Sequence, residues 1–446
     1  MISTDRIESL RSDPRGLERL HRESLEAGDV EAFTEAIRAS ADKHPEDPLL
    51  SAWTYRLDLR SPYPVSDSGT AGDETRQLPR WWIAVAVSVA MGGLFTLIAG
   101  GKPPFPIPGE AASWFWIGWG PLTAVGILFY LGLNQRSRAA AFGAAAAVVL
   151  LLAAFAGLVT GSRTDDVAFL TALHLPFCAW STVGIAVCLG HPDPARQGYA
   201  YLVKSAETLL TGLIYLAAGA VFLALTFGIF AVLGVELPEQ GVMTAAAWII
   251  GAVPVLALAS VYDASTSPAS QDWTPGLART LRLLTRLLLP LALAVLLVYV
   301  LWFIPSYFMR AFEEREVLFV YNATILAILV LLTLVVSGPA GRRPERQDRV
   351  LRYGVLLLGG LTLLLNVYAL AAILGRTLDG GLTPNRFAVL GWNGTTLLMM
   401  VVVGIQIWRR RADAWLEVFR PWTSRAVLLA AGWSLWVLIV FPFWFE

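Results

Sequence analysis

The chain has 446 residues, with 34 basic and 34 acidic side chains and a net charge of +0. Apolar residues make up 56% and charged residues 15%, against roughly 25% charged in a typical soluble domain. So few charges cannot wrap so much apolar surface in water. That excludes a soluble enzyme, a disordered chain and a disulfide scaffold, and the zero net charge gives no electrostatic footing for nucleic acid. The composition points to an all-α, polytopic transmembrane helix bundle.

Residues 1–80 differ in kind from the rest. They hold 16 acidic and 11 basic residues, net −5. They open with Asp5, Glu8 and Arg11 and have no apolar run, unlike a secretory signal. Pro14 begins a helical pattern with Leu17, Leu20 and Leu25 apolar, and Gly28-Asp29 breaks it. Asp29 is placed to cap a second helix carrying Phe33, Ala36 and Ile37, which Pro45 and Pro48 end. A third short helix takes Leu49, Leu50, Trp53 and Leu57. Such a unit cannot cover its apolar face alone. It is expected to dock on the membrane domain, dimerise or bind a protein partner. The division is a cytoplasmic helical head over 1–60, a Ser/Pro/Gly-rich linker over 61–80 and a transmembrane domain over 81–446.

A spanning helix needs about 20 apolar residues. Eleven segments qualify: 81–100, 114–133, 139–161, 167–189, 206–234, 242–263, 287–308, 317–337, 353–374, 388–408 and 425–444. With the N-terminus inside, the inner loops hold 17 basic residues, Arg138, Lys204, Arg352 and Arg420 among them. The outer loops hold 6, namely Lys102, Arg163, Arg310, Arg315, Arg376 and Arg386. The bias predicts an N-inside topology, and an odd span count puts Glu446 outside. Trp81, Trp82, Trp408 and Trp444 fall at expected interfaces. Before span seven, Leu277, Leu281, Leu284 and Leu288 share one face and Arg279, Arg282 and Arg286 another, as in a juxtamembrane helix meeting lipid phosphates.

Polar groups at membrane depth are costly, so each is a candidate for function. His174 lies in span four, two residues before Pro176. It serves either as a proton-relay or substrate group or simply as a donor to a carbonyl. Glu207 begins span five one turn from Lys204, as an interfacial ion pair or a coupling carboxylate. Asp263 ends span six after Tyr262, as a marker of the membrane exit or a substrate group, and Asn366 is mid-span nine, where an interhelical hydrogen bond accounts for it. Ser205, Gly212, Gly219 and Thr226 form a seven-residue stripe that lets another helix approach. Thr383-Pro384 reads as a helix start, which places Arg386 in a first turn where the dipole opposes a cation. Arg386 therefore needs an acceptor: Asp379, a carbonyl cluster, a lipid phosphate or a substrate anion.

There is no HExxH, no P-loop, no GxSxG elbow and no paired metal-ligand cluster. Cys178 and Cys188 share one apolar segment, which suits neither a disulfide nor zinc. Gly190-His191-Pro192-Asp193-Pro194 puts His and Asp in a loop without a third partner. No cofactor, metal or catalytic residue is expected.

Three stretches carry a family resemblance. They are Glu207-Thr208-Leu209-Leu210-Thr211-Gly212 with its long Gly-spaced helix, Leu287-Leu288-Leu289-Pro290-Leu291 leading to Tyr299, and Asn366-Val367-Tyr368 followed by Arg376 and Gly381-Leu382-Thr383-Pro384-Asn385-Arg386-Phe387. Over roughly residues 135–410 the chain resembles the DUF4153 family of bacterial multi-pass membrane proteins of unassigned function. The resemblance implies a bacterial inner membrane, and it makes Tyr368, Arg376, Asn385 and Arg386 parts of a recurring unit.

The expected substrate-binding set is then His174, Glu207, Asp263, Asn366, Tyr368, Arg376, Asn385 and Arg386. Three functions remain open. One is a transporter or permease-like protein with a broken-helix site near Pro121, Pro176, Pro254 and Pro305. Another is a scaffold or sensor that binds a partner through the head. The third is a membrane-embedded transferase for lipid-linked substrates, with Arg376 and Arg386 holding a phosphate. Membrane lipids are partners in all three.

Overall fold

The computed structural model describes residues 4–11, 13–27, 29–58, 81–100, 114–160, 165–235, 238–271, 276–337, 345–409 and 415–445. The linker over 61–80 lies outside them. Among the described residues every regular element is helical. The chain divides into two compact units, Met1–Gln77 and Leu78–Glu446.

The head holds four helices: α1 (Thr4–Ser9), α2 (Pro14–Ala27), α3 (Val30–Lys43) and α4 (Pro48–Asp58). Ile7, Leu17, Leu20, Phe33, Ile37, Leu50 and Trp53 come together in one core. The head thus buries apolar residues within itself. The extra helix α1 places Ile7 over the face that a hairpin alone leaves open, and the apolar face closes on itself. Two cap assignments also change. Asp29 occupies the N-cap of α3 without a side-chain bond. Pro48 opens α4 rather than ending α3, and Asp47 Oδ1 caps it by accepting from the Leu49 and Leu50 amides at 2.9 and 3.3 Å. Exposed pairs tie the helices across the surface, Lys43 to Glu8 at 2.9 Å and Arg56 to Glu18. These hydrogen bonds from Lys43 and Arg56 hold the Glu8 and Glu18 carboxyls below the usual glutamate range, against a small opposing desolvation.

Among its described residues the second unit contains eleven helices long and apolar enough to cross a membrane. They are α5 (Trp81–Ala99), α6 (Trp114–Asn134), α7 (Ala139–Thr160), α8 (Asp165–Cys188), α9 (Pro194–Val232), α10 (Glu239–Val261) and α11 (Gly276–Val298). After the one-turn pieces α12 (Ile304–Ser306) and α13 (Arg310–Glu313) come α14 (Arg315–Val335), α15 (Glu345–Gly380), α16 (Pro384–Arg409) and α17 (Trp415–Ile439). A last turn, α18 (Phe441–Trp444), follows. Helices dominate because a backbone in hydrocarbon must satisfy its own N–H and C=O groups. Three spans outrun their apolar cores. α9 and α15 reach 39 and 36 residues, and α17 starts ten residues before the expected 425. Hydropathy marks the membrane-embedded part of a helix, and nothing polar obliges the helix to stop there. The juxtamembrane piece before span seven is continuous with α11; the side chains of Arg279 and Arg282 lie outside the described residues.

Four apolar clusters form among the described residues of this unit, and two of them are large. One gathers α5, α6, α7, α8 and α10 around Phe95, Leu128, Phe142 and Val183. The other gathers α11, α14 and α15 around Leu358, Leu365, Ala369 and Val335, with Ile407 of α16 and Trp415 of α17. Helix α9 borders both. Its Tyr199 and Val203 belong to the second core, and its Tyr201 packs on the first. Beyond Leu213 the outward side of α9 is exposed, with Leu225, Ile229 and Val232 at 64%, 62% and 89%. The small-residue stripe is a packing face. A Cβ on Gly212 would meet Val253 and Ala257, and one on Gly219 would meet Ile249, all on α10.

The prolines do not break the spans as expected. Pro121, Pro176 and Pro254 lie inside continuous helices. Pro176 seats against α6, where Gly120 leaves no room for a Cβ. Only Pro305 coincides with a break. It lacks an amide hydrogen, and the turn before it, Tyr299–Phe303, widens to a π-helix in which the Ile304 amide reaches the Tyr299 carbonyl.

Candidate functional site

The eight expected site residues fall into separate places. Asp263 falls at the helix exit rather than in a site. Helix α10 ends at Val261, so Asp263 lies past the span, exposed in the following turn. Its Oδ1 accepts from the Ser265 amide and hydroxyl at 2.8 and 2.6 Å. Its backbone is clasped by Gln271 through bonds of 2.8 and 2.7 Å. Asp263 shapes a loop.

His174 is 2% exposed on α8. Trp392 Nε1, from α16, donates to His174 Nε2 at 2.7 Å, and His174 Nδ1 lies 2.7 Å from the Leu170 carbonyl. An indole N–H only donates. Nε2 must therefore accept, and Nδ1 carries the proton that it gives to Leu170. The neutral imidazole is fully satisfied in one tautomer. Around it runs an aromatic path: Phe177 meets Trp392 and Trp180, and Trp180 stacks on Tyr201 of α9 at 5.4 Å. Trp180 Nε1 donates to Ser205 at 3.1 Å, and Tyr201 donates to the Trp180 carbonyl at 2.8 Å.

That path leads to the most costly group in the unit. Lys204 Nζ bonds Glu207 Oε2 at 2.8 Å, with side chains only 3% and 2% exposed. The ammonium also donates to the Val261 carbonyl at 3.1 Å, the last residue of α10, where the helix dipole favours a cation. Withdrawing two such charges from water costs several kcal/mol per ion before their attraction is counted. The sequence reading named Glu207 and treated Lys204 as its interfacial partner. The structure buries both.

The same geometry recurs. Arg138 donates to the Ala186, Val187 and Leu189 carbonyls at the end of α8, at 2.7, 3.1 and 2.5 Å. Arg420 reaches the Val336 carbonyl after α14 at 3.0 Å, and Arg352 the Ile407 carbonyl near the end of α16 at 3.1 Å. These four cations come from the basic-rich loops that set the sequence topology. They engage the orphan carbonyls where spans four, six, eight and ten finish. Arg138 also lies 2.7 Å from His191 Nε2. Partial burial and the guanidinium both push the imidazole below its ordinary pKa, which keeps it neutral and able to accept.

Asn366 is 0% exposed on α15, and neither its Oδ1 nor its Nδ2 has a hydrogen-bond partner. The expected interhelical bond is absent there. Tyr368, two residues on, faces a different neighbour. Its hydroxyl donates to the Phe308 carbonyl at 2.6 Å, in the stretch that follows the Pro305 break. Tyr299 donates to Tyr321 at 2.8 Å, and the Tyr321 and Tyr368 rings pack 5.8 Å apart. Phenols from three spans thus line up on the displaced backbone.

The Gly381-Leu382-Thr383-Pro384-Asn385-Arg386-Phe387 stretch is a helix corner. Gly381 takes φ +77° after α15, a conformation that disfavours a Cβ. Thr383 Oγ1 accepts from the Arg386 amide at 3.3 Å, and Pro384 opens α16. Arg386 Nη1 bends back to the Gly381 carbonyl at 2.6 Å. Its acceptor is this carbonyl, with no ion pair to Asp379 among the described residues. Asn385 is half-buried in the first turn of α16. Phe387 packs against Trp433, Trp436, Phe441, Trp444 and Phe445. Arg376 stands apart, half-buried on α15 with Nη1 unpartnered.

An open apolar groove of 850 Å³ lies between α9 and α10, with Phe222, Trp248 and Ile249 on its walls. A hollow of 390 Å³ lies beside Tyr307 and Arg310. Neither is lined by any of the eight expected residues. Among the described residues no cluster of His, Cys, Asp and Glu could hold a metal ion. Comparison of the chain with protein-family models, curated proteins and solved structures found no match.

Proposed function

We propose that the chain is a transporter-like protein of the bacterial inner membrane, related to the DUF4153 family, with its head cytoplasmic and its C-terminus on the outer side. The observation that carries this reading is the buried Lys204–Glu207 pair, 2.8 Å apart on α9. A buried ion pair is a poor stabiliser, because apolar residues of similar volume serve as well or better. Ionisable groups kept within a membrane bundle mark substrate and proton paths. The pair also sits on the helix that borders both apolar cores, where rocking of one helical group against the other would change its surroundings. Unpartnered Asn366 is a second polar group buried in the same unit. The excess of basic residues at the inner loops, 17 against 6 and nearly all arginine, supports the orientation.

Proteoliposomes holding a pH-sensitive dye test the reading against a panel of amino acids, sugars and carboxylates. Wild-type protein is expected to couple one class of solute to proton movement, and the double variant Lys204→Met/Glu207→Leu to fold without doing so. A double variant that transports as the wild type does would remove the assignment, and so would a panel without any transported solute.

A further inference from the structure

Among the described residues of the membrane-spanning unit, the buried or half-buried cationic side chains are Arg138, Lys204, Arg352, Arg376, Arg386 and Arg420. Five of them donate to a carbonyl at the C-terminal end of a long helix or just past it. Arg376 does not. Its guanidinium has no hydrogen bond, ion pair or ring contact, and its Nη1 is shielded without an acceptor. Arginine cannot escape by losing its proton. A shielded cationic N–H with no partner is unfavourable, and Arg376 combines one such nitrogen with a half-exposed guanidinium that an outside anion can reach.

The surroundings narrow the chemistry. Phe308 packs on Tyr368, and Phe312 packs on Gly375, where an added Cβ would lie 3.0 Å from the ring. The segment after the Pro305 break therefore lies along α15 as far as Gly375, the residue before Arg376. The nearby carboxylates do not serve. Glu314 faces Arg310 at 4.0 Å, and Glu313 and Asp379 are exposed without an ion pair to Arg376. On the same helix Leu374 and Leu378 are 47% and 86% exposed, an apolar surface beside a cation at the end of a span. A guanidinium fork matches two oxygens of a phosphate.

We infer that Arg376 binds a phosphate oxyanion, carried by a membrane lipid headgroup or by a free phosphate-bearing solute. The site is separate from the Lys204–Glu207 pair and does not depend on the transporter reading.

Full-length protein in detergent tests it with two probes. Native mass spectrometry measures retention of phosphatidylglycerol against phosphatidylcholine. Thermal unfolding measures protection by inorganic phosphate against chloride at equal ionic strength. Arg376→Gln is expected to weaken whichever probe binds by about tenfold or more, the scale of a charge-assisted hydrogen bond, with Arg376→Lys recovering part of it. Arg376-dependent retention of phosphatidylglycerol assigns the lipid source. Arg376-dependent protection by phosphate assigns the free anion. Should the variants fail to fold, phenylglyoxal labelling of wild-type protein, mapped to Arg376, replaces them, and the bound probe is expected to slow modification. Indifference of both probes to Arg376, or unprotected labelling, overturns the inference.

Discussion

Trp392 and His174 join α16 to α8 through a single hydrogen bond of 2.7 Å from the indole nitrogen to Nε2. That bond dictates the tautomer, because the indole can only donate. It removes the free imidazole nitrogen that a proton relay needs at rest. Trp392→Phe strands Nε2 in a dry interface and is expected to lower stability by about 1–3 kcal/mol, read as a lower midpoint in thermal unfolding. Nitrogen NMR of labelled histidine should find the Nδ1–H form in the wild type and a changed Nε2 shift in the variant. A wild type protonated on Nε2 would contradict the assignment.

The Lys204–Glu207 pair predicts an asymmetry between single and double substitutions. Glu207→Gln leaves a buried ammonium with one fewer charged partner, at a cost of about 3–5 kcal/mol. Lys204→Met/Glu207→Leu removes both charges together and should recover most of that loss. Chemical unfolding of the single and double variants measures the difference. Equal stability of all the variants would mean that water reaches the pair.

Asn366 makes the opposite prediction. Its amide is fully buried and unpartnered, so a residue of similar size without polar atoms fits better. Asn366→Leu is expected to raise stability by about 1–3 kcal/mol while impairing any activity that uses the amide. Measured together, midpoint and transport separate a polar group kept for function from one bonded in an undescribed way, which Leu would destabilise.

The corner between α15 and α16 rests on the positive φ of Gly381. Gly381→Ala places a Cβ against the following carbonyl, at about 1–2 kcal/mol. The corner also positions Arg386, whose bond to the Gly381 carbonyl caps the same turn. Destabilisation should appear in hydrogen exchange as faster opening around residues 376–388, with α5 unaffected.

The head should be acid-sensitive in a defined direction. The Glu8 and Glu18 carboxyls lie below their ordinary value of 4.5 because Lys43 and Arg56 bond them. A depressed carboxylate contributes stability above its unfolded pKa and loses it as the pH falls through the folded value. Residues 1–77, which carry their own core, are expected to give a helical circular dichroism spectrum. Their melting midpoint should hold from pH 7 to about 5 and drop below about 4.5. Glu8→Gln/Glu18→Gln should flatten that drop.

Composition and hydropathy alone determined that the chain is helical, with eleven stretches long and apolar enough to cross a membrane. Both are sums over residues, and an apolar stretch of 20 residues has one stable form in hydrocarbon. The corner at Gly381-Leu382-Thr383-Pro384 was legible for the same local reason, since caps and turns are set by adjacent residues. What polar side chains meet is not local, and there the sequence went astray. Asp263 was placed in a span that ends two residues earlier. Asn366 was assigned a bond it lacks, and the short helix α1 that adds Ile7 to the head's core was not foreseen. The loop arginines were read as a topological signal, and the tertiary structure turned four of the basic residues into caps on helices distant in sequence. Arg138 lies 48 residues from the Ala186 carbonyl it holds. Only the packing of the helices decided that Lys204 and Glu207 share a dry seam, and that Arg376 alone among the buried or half-buried described cations of the membrane unit has no protein acceptor.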